Sequence, residues 1–388
     1  MSVPKIRLVV LFGGRSAEHD VSCVSARHVL AAVDPERYAV EPIGITSDGT
    51  WVRADEAAHA LAAGAEGLPE ALTAAGPSVD ALPVLASSTS PAIDPDALTV
   101  VFPVLHGPMG EDGTVQGLLE LAGVPYVGAG VLSSALCMDK VAAKDHLARF
   151  GIPQGAYRSY VIDAGTARRP DGTAASLGEV TEEVIAELGL PVFVKPANMG
   201  SSVGVSRAAD APEVAAALEL AASYDRIVLV EENIRGREIE VSVLGDDDPE
   251  ASLPGEIVPG AEFYDYADKY EDGAELDVPA KLTDDEVAEV QALAIRTYRA
   301  LRVQGLARVD VFYEDGGTQP SGPDAGQARG DRGWLVNEVN TMPGFTPISM
   351  YPKLWEVSGL PYDELIDRLV ELAVARHERN AAHRRTDH

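Results

Sequence analysis

Hydrophobic residues along this chain form short continuous runs separated by helical repeats, a pattern typical of strands and helices that build sheets together. The first run, residues 8–12, ends at two glycines, and the helical pattern after it reaches Ala32 and stops before Pro35. A second strand over residues 39–45 completes a β-α-β unit. The same reasoning predicts further strands at 99–105, 156–161, 192–196, 204–207, 228–232, 238–244, 251–257, 309–313 and 335–340, and helices ending at 123 and spanning 131–150, 181–188 and 284–301.

The spacing of these elements predicts an α/β (α+β) fold with more than one domain, because 388 residues exceed one ordinary core. We expect domains over residues 1–128, 129–234 and 235–388. Segment 54–96, rich in Ala, Gly, Pro and Ser, is expected to form short helices and a surface insertion. Segment 315–332 is expected to be a mobile hairpin loop, and the charged tail after about Ala375 is expected to fray.

The charge balance narrows the choice of partners. Sixty-one acidic and 31 basic residues give a net charge of −30, which disfavours nucleic acid and anionic membranes, although a locally basic pocket could still hold phosphates. No apolar run approaches the roughly 18 residues of a membrane helix, and the first residues lack a signal-cleavage pattern. We therefore expect a cytoplasmic protein. The two cysteines, Cys23 and Cys137, predict no disulfide framework.

The strongest chemical signal is a pair of strands near the end of the chain. Strand alternation places Glu338 and Asn340 on one face, and the same period places Arg308 and Asp310 on one face of the preceding strand. If the two strands form a hairpin, Asp310, Glu338 and Asn340 offer hard oxygen ligands beside one arginine. Such a set suits Mg²⁺ bridging ATP phosphates better than zinc or copper.

Weaker signals lie in the middle of the chain. Lys195 precedes a small, glycine-containing loop, residues 196–204, which could cover phosphates or be an ordinary hairpin, and it is not a Walker A loop. Glu231 and Glu238 flank a strand end, where they could accept hydrogen bonds from an adenine amino group and ribose hydroxyls or simply face solvent. Lys140 alone predicts a solvated helix lysine, and His106, after a strand, is as consistent with a structural role as with a chemical one.

Taken in order, these motifs closely resemble D-alanine:D-alanine ligase, an ATP-grasp enzyme of peptidoglycan precursor synthesis, over roughly residues 5 to 370. The motifs that carry the resemblance are Gly13-Gly14-Arg15-Ser16-Ala17-Glu18, His106-Gly107 with Gly110-Glu111-Asp112-Gly113-Thr114, Met138-Asp139-Lys140, Lys195-Pro196 with Gly200-Ser201-Ser202-Val203-Gly204, Glu262-Phe263-Tyr264-Asp265-Tyr266, Lys269-Tyr270, Arg308-Val309-Asp310 and Asn337-Glu338-Val339-Asn340-Thr341-Met342-Pro343-Gly344. The chain departs from the family in length, within segments 54–96 and 315–332.

The resemblance implies a Rossmann-like first domain and two ATP-grasp domains that clamp ATP between them. It implies two Mg²⁺ ions on Asp310, Glu338 and Asn340, with Mn²⁺ as a substitute. Because members of the family are commonly dimeric, it also implies a homodimer. The implied nucleotide contacts are Lys140, Lys195 and Ser202 for phosphates, Glu231, Ile234 and Glu238 for adenosine, and Lys269 for the terminal phosphate.

The resemblance also implies how two D-alanines are held. Glu18 would take the first ammonium group, Ser349 the second carboxylate, and His106 would lie near the second substrate. Arg308 and the Gly344 N–H would stabilise the oxyanion of the tetrahedral intermediate. A lid over residues 260–277 would exclude water from an acyl-phosphate, with Tyr270 linking to Ser201 and Glu18 when it closes.

Three other functions are compatible with parts of this sequence. A D-alanine:D-lactate or D-serine ligase of the same family differs in the lid, where Lys269-Tyr270 favours the dipeptide. A nicotinamide dehydrogenase is disfavoured because Gly13-Gly14-Arg15-Ser16 is not Gly-x-Gly-x-x-Gly. A catalytically silent nucleotide-binding protein is disfavoured because all the metal ligands and Arg308 are present.

Overall fold

The computed structural model describes residues 5–87, 93–94, 96–258, 275–318, 326–346 and 348–384, and these form three β-sheets flanked by helices. The predicted mixed α/β class is confirmed. The first sheet has the strand order β3-β2-β1-β4, with β1 parallel to both β2 and β4. Its elements are β1 (Ile6–Gly13), α1 (His19–Ala32), β2 (Tyr38–Ile45), β3 (Trp51–Arg53), α2 (Asp55–Ala62), a 3₁₀ turn (Ala65–Gly67), α3 (Ala81–Ala86), β4 (Thr99–Pro103) and α4 (Thr114–Ala122).

The first strand shows why the hydrophobic run folds as it does. Residues 8–12 have no exposed surface, because a central strand of a parallel sheet is covered on both faces. The strand ends at Gly13, whose φ is +87° and whose position leaves no room for a side chain, since a Cβ there would lie 2.3 Å from the carbonyl oxygen of Ile45. The chain can therefore turn sharply into α1 and bring Glu18 to the edge of the sheet.

The second sheet is antiparallel, in the order β7-β6-β5-β10-β8-β9. Its elements, with the two helices that precede it, are α5 (Val131–Met138), α6 (Lys140–Arg149), β5 (Tyr157–Asp163), β6 (Thr166–Arg168), β7 (Ala174–Ser176), α7 (Leu177–Leu188), β8 (Val192–Pro196), β9 (Ser206–Ala208), α8 (Ala211–Tyr224) and β10 (Ile227–Glu232).

Two expectations about helices in this region were wrong or incomplete. The single helix predicted over residues 131–150 is broken at Asp139, whose backbone is extended and whose side chain accepts from the Ala142 N–H to cap α6. Helix α8 was not predicted, although Asp210 as its cap, a proline in its first turn and Glu213 mark a helix start. The break places Lys140 at the first turn of a new helix.

The third sheet has the order β14-β13-β11-β15-β16, with β12 paired to β11. Its elements are β11 (Arg237–Gly245), β12 (Glu250–Ala251), β13 (Gly255–Val258), β14 (Glu275–Asp277), α9 (Asp284–Ala300), β15 (Gly305–Glu314) and β16 (Gly333–Asn340). The one strand predicted over residues 251–257 is instead β12 and β13, separated by a stretch in which Pro254 lacks an N–H for the ladder.

The last two helices, α10 (Met350–Val357) and α11 (Tyr362–Arg384), pack against the first sheet rather than the third alone. The expectation that the tail frays after Ala375 was wrong, because α11 continues to Arg384. Arg376 is buried, donates to the carbonyl oxygen of Tyr126 at 2.6 Å and lies 4.6 Å from the centre of that ring. The last helix therefore packs into the core of the first sheet.

The two segments set apart by composition are only partly as expected. Segment 54–96 does form short helices, but Leu72 and Leu85 are buried, and the buried Arg7 guanidinium donates to the carbonyl oxygen of Val84 at 2.6 Å. This part of the segment belongs to the core of the first sheet and is not a surface insertion. In segment 315–332, the described ends pair with each other through Thr318 and Ala328.

Among the helices of the described residues, none combines the length and the hydropathy of a membrane-spanning segment.

Candidate active site

The predicted hairpin of β15 and β16 is present, and the residues predicted to share one face do so. Arg308 lies opposite Asn340 and Asp310 lies opposite Glu338, with an irregularity in the pairing between Asp310 and Val311. Directly opposed residues on antiparallel strands have Cβ atoms about 5 Å apart. All four side chains therefore occupy one small area of the sheet.

Arg308 is held in this area by two carboxylates. Its Nε and Nη2 donate to the two oxygens of Asp310 at 2.7 and 2.8 Å, and its Nε lies 3.2 Å from Glu240 Oε2. Burial alone would lower the pKa of the guanidinium, but the charges of Asp310 and Glu240 raise it well above its usual value. A permanently charged, pre-oriented donor results.

The chemistry of the oxygen donors fits Mg²⁺ carried by a nucleotide. Within the ranges that the structure describes, no group of three or more His, Cys, Asp or Glu side chains could hold a metal by itself. The predicted set has two carboxylates, Asp310 and Glu338, and the amide oxygen of Asn340. Mg²⁺ typically takes one or two protein carboxylates and completes its octahedron with phosphate and water oxygens, so this sparse set suits a metal that arrives with ATP.

The two lysines predicted to hold phosphates are placed by different elements. Lys140 lies in the first turn of α6, where its backbone N–H donates to the Ala197 carbonyl and its Nζ donates to the Met199 carbonyl at 2.6 Å. Lys195 lies on β8, directly before the same loop. Lys140 therefore contacts the loop 196–204 directly, and Lys195 lies on the strand that leads into it.

Lys195 pairs with Glu231 on the neighbouring strand, and a third lysine completes the group. Lys195 Nζ and Lys144 Nζ each lie 2.6 Å from a different oxygen of Glu231, and all three side chains are largely buried. Burial would raise the pKa of Glu231, but the charges of Lys144 and Lys195 lower it to about 2. Sequence reasoning missed Lys144, although it lies four residues after Lys140 on one helix face.

Glu338, on the hairpin of β15 and β16, contributes to the pKa of both Lys140 and Lys195. Burial lowers the pKa of Lys140, and the charge of Glu338 opposes that shift. The charges of Glu231 and Glu338 raise the pKa of Lys195 against its burial. Residues more than 100 positions apart in sequence therefore form one electrostatic unit.

Glu18 contacts the loop of the second sheet. Ser201 Oγ donates to Glu18 Oε1, and a Cβ at Gly200 would lie 2.7 Å from Glu18 Oε2. Ser201 and Ser202 have φ values of 48° and 59°, an uncommon left-handed conformation for residues other than glycine. The strained loop therefore brings the hydroxyl of Ser201 to the carboxylate predicted to bind the first substrate.

Glu18 also contacts the loop that follows β4. Gly107 has a φ of +72°, and a Cβ there would lie 2.5 Å from Glu18 Oε2. Its N–H donates to Glu111 Oε1 at 2.7 Å, and burial together with the charge of Glu18 raises the pKa of Glu111 to about 8. Sequence reasoning assigned no role to Glu111, because its proximity to Glu18 depends on how this loop folds back.

His106 is buried and bonded on both sides of its ring. Its Nδ1 lies 2.9 Å from the Met342 carbonyl oxygen, which can only accept, so Nδ1 carries the proton. Burial lowers the pKa of His106 against the charge of Glu18, so the ring is neutral and Nε2 accepts from Ser25 Oγ at 3.3 Å. The Phe345 N–H also donates to Ser25 Oγ, which ties the histidine to the loop that contains Gly344.

Gly344 and Ser349 lie side by side at the start of α10. A Cβ at Gly344 would lie 2.7 Å from Ser349 Oγ, and the same oxygen accepts from the Thr346 N–H at 3.1 Å. Ser349 precedes the first turn of α10, where unpaired N–H groups favour a negatively charged group. This arrangement is suitable for a carboxylate.

The predicted adenosine contacts lie around the crossing from the second sheet to the third. Ile234 packs against Gly155, since a Cβ added at Gly155 would lie 2.6 Å from Ile234 Cδ1. Glu238 lies on β11, and its charge contributes to the raised pKa of Lys195. Both oxygens of Glu231 accept from lysines, so its predicted contact with adenosine would be made from within that ion-pair network.

The predicted lid residues Lys269 and Tyr270 lie outside the described residues, as does most of segment 260–277. Its described end is β14, which pairs with β13. The predicted link from Tyr270 to Ser201 and Glu18 stays a prediction, as do the individual substrate, nucleotide and metal roles.

Comparison with known proteins gives one consistent result. Two family models match the chain, the D-ala D-ala ligase N-terminus over residues 7–129 and the D-ala D-ala ligase C-terminus over residues 147–371. A D-alanine–D-alanine ligase of Bacillus cytotoxicus is 46% identical over 379 residues, covering 96% of this chain and 97% of that protein.

Solved structures agree. The structure of the D-alanine–D-alanine ligase from Coxiella burnetii matches with a TM-score of 0.75 and 33% identity, covering 99% of this chain and 98% of the other. The VanG D-Ala:D-Ser ligase from Enterococcus faecalis matches with a TM-score of 0.74 and 33% identity, covering 95% and 99%. The relationship spans nearly the whole chain, as the ordered motifs indicated.

Proposed function

The chain belongs to the D-alanine–D-alanine ligase family, and we propose from that premise that the site described above condenses two D-alanines to D-alanyl-D-alanine while ATP is cleaved to ADP and phosphate. It is an ATP-dependent ligase that forms a C–N bond, on the ATP-grasp architecture of its structural relatives. Its product serves peptidoglycan precursor synthesis. The observation that carries the assignment of roles is the register that puts Arg308 and Asp310 opposite Asn340 and Glu338.

The first step is phosphorylation of the first D-alanine's carboxylate, because a carboxylate is a poor electrophile. Lys140 and Lys195 hold the ATP phosphates under loop 196–204, and Asp310, Glu338 and Asn340 hold two Mg²⁺ ions, for which Mn²⁺ substitutes. When bound, the ions neutralise charge on the phosphates. Little covalent chemistry is then required of the protein beyond positioning.

The two amino acids are held by residues outside the ATP-binding group. Glu18, fixed by Ser201, accepts the first ammonium group, and the α10 start at Ser349 receives the second carboxylate. His106 borders the second substrate through its neutral ring. The neutral amine of the second D-alanine then attacks the acyl-phosphate.

Charge that develops on the tetrahedral oxygen is stabilised by the Arg308 guanidinium and the Gly344 N–H. One preorganised donor of this kind is worth about 3 to 4 kcal/mol of transition-state stabilisation. Because Asp310 and Glu240 already orient the guanidinium, little reorganisation is needed at the moment of reaction.

The second subsite is assigned to D-alanine rather than D-lactate or D-serine. D-alanine–D-alanine ligases share up to 49% identity with this chain, whereas the D-Ala:D-Ser ligase shares 33%, the same value as the Coxiella burnetii D-alanine–D-alanine ligase. The Lys269-Tyr270 pair of the lid sequence also favours D-alanine as the second substrate. We further propose a homodimer in the cytoplasm, where ATP and D-alanine are available.

The decisive experiment measures ADP release with D-alanine, D-lactate, D-serine or L-alanine as substrate, together with the mass of the product. We expect turnover and a dipeptide with D-alanine alone. ADP release that needs no D-alanine, or a preference for D-lactate with D-alanine, would contradict the proposal. Size-exclusion chromatography with light scattering tests the dimer.

A further inference from the structure

The crossing between the second and third sheets is braced by a segment to which no role has been assigned. Strand β10 ends at Glu232 and β11 begins at Arg237, so the connector 233–236 joins the two sheets between which ATP is proposed to bind. Gly236 leaves little space for a side chain, since a Cβ would lie 3.1 Å from the Tyr313 backbone. The connector is therefore packed directly on β15.

Arg332, directly before β16, bridges the two sheets. Its Nε and Nη2 donate to the two oxygens of Glu314 on β15 at 2.6 and 2.8 Å, and its Nη1 donates to Glu232 Oε1 at 2.7 Å. Glu314 is 5% exposed. The same Glu232 oxygen accepts from the Ala156 N–H at 2.6 Å, which anchors it to the second sheet.

Two further contacts hold the connector to residues 327–330, in the second described part of segment 315–332. The Gly330 N–H donates to the Arg235 carbonyl at 3.0 Å, and Arg235 Nη1 donates to Gln327 Oε1 at 3.1 Å. Arg329 joins the two described parts of this segment, because it donates to both oxygens of Asp315 at 2.7 and 2.8 Å. The described ends of this segment thus form a brace between the connector and β15.

We infer that Arg332 is a positioning residue for nucleotide binding, which fixes connector 233–236 and so the spacing of the adenosine contacts Glu231, Ile234 and Glu238. Glu231 directly precedes the bridged Glu232, Ile234 lies within the connector, and Glu238 follows its end. A planar guanidinium suits this role because it can fork onto one carboxylate and still reach a second, which a lysine ammonium cannot do in the same way. The inference rests on the proposed ATP site.

The test compares Arg332→Ala with the wild-type full-length enzyme in steady-state kinetics. We expect KM for ATP to rise roughly 5- to 10-fold, a modest change because Arg332 is partly exposed, with kcat and KM for D-alanine within about 2-fold of wild type. Arg332→Lys should recover only part of the ATP affinity. Arg332→Ala combined with Glu232→Gln should raise KM for ATP no further than the worse single variant, because both remove one bridge.

Arg169→Ala is the matched control. Arg169, directly after β6, forms a comparable, partly exposed pair with Glu183 on α7, and β6 is separated from β10 by β5, so loss of this pair should leave KM for ATP unchanged. The inference is overturned if KM for ATP is unchanged in Arg332→Ala. It is also overturned if kcat falls and KM for D-alanine rises by factors as large as the rise in KM for ATP. Either result leaves the ligase assignment unchanged. A wild-type enzyme that releases no ADP with D-alanine would instead contradict the proposed function.

Discussion

The buried Lys144–Glu231–Lys195 group allows a quantitative prediction about stability. Lys144→Met keeps the length of the apolar stem but removes one of the two charges that compensate Glu231. The pKa of Glu231 is lowered from 4.5 to about 2, which corresponds to roughly 3 kcal/mol of stabilisation at neutral pH, shared between the two lysines. Because Lys195 remains, we expect Lys144→Met to cost about 2 kcal/mol, less than complete loss of a buried pair.

The pH dependence has a definite sign. The pKa of Glu231 is depressed in the folded protein, so its stabilisation is fully present above about pH 4.5 and is lost as the pH falls towards about 2. The difference in stability between wild type and Lys144→Met should therefore be constant from pH 8 to 6 and shrink below about pH 4.5. Protonation of Glu231 removes the attraction that the variant lacks.

Urea unfolding of wild type, Lys144→Met, Glu231→Gln and the double variant at pH 7.5 measures the coupling. We expect the double variant to be more stable than the sum of the single costs implies, by at least about 1 kcal/mol. Lys281→Met is the control, since Lys281 forms an exposed pair with Asp277 and should cost under about 0.5 kcal/mol. Additive costs for Lys144 and Glu231 would refute the reasoning.

The remaining predictions concern catalysis. Asp310→Asn and Glu338→Gln should each lower kcat sharply in a protein that still folds, and turnover close to wild type in both would exclude them as metal ligands. Asp310→Asn should also lose some thermal stability, because the buried Arg308 then lacks one of its two carboxylate partners. Arg308→Ala should lower kcat about 100- to 1,000-fold with a much smaller change in KM for ATP; equal effects on both would assign it to nucleotide binding. Gly200→Ala should raise KM for D-alanine, because the added Cβ meets the Glu18 carboxylate, whereas unchanged kinetics would mean that the loop can move aside.

Alternation along two strands was enough to predict the hairpin that carries Arg308, Asp310, Glu338 and Asn340. Period-2 patterning states which side chains share a face, and pairing of neighbouring strands follows once both runs are recognised. Helix ends were harder. Asp139 interrupts a continuous helical pattern, because a side-chain cap competes with the helix only through local geometry that hydrophobic spacing does not contain.

Contacts between distant segments could not be inferred from pattern. Lys144 finds Glu231 because α6 packs beside β10, and Glu111 comes near Glu18 because a loop folds back after β4. The brace at Arg332 depends in the same way on the crossing of two sheets.

By itself the sequence determined which chemical groups exist, which faces of the strands they share and, through ordered motifs, which family the chain belongs to. Tertiary structure alone decided which charges compensate one another and which loops touch Glu18. The physical reason is that burial and Coulomb interactions depend on distance in space. Residues far apart along the chain come close to one another only when the sheets pack.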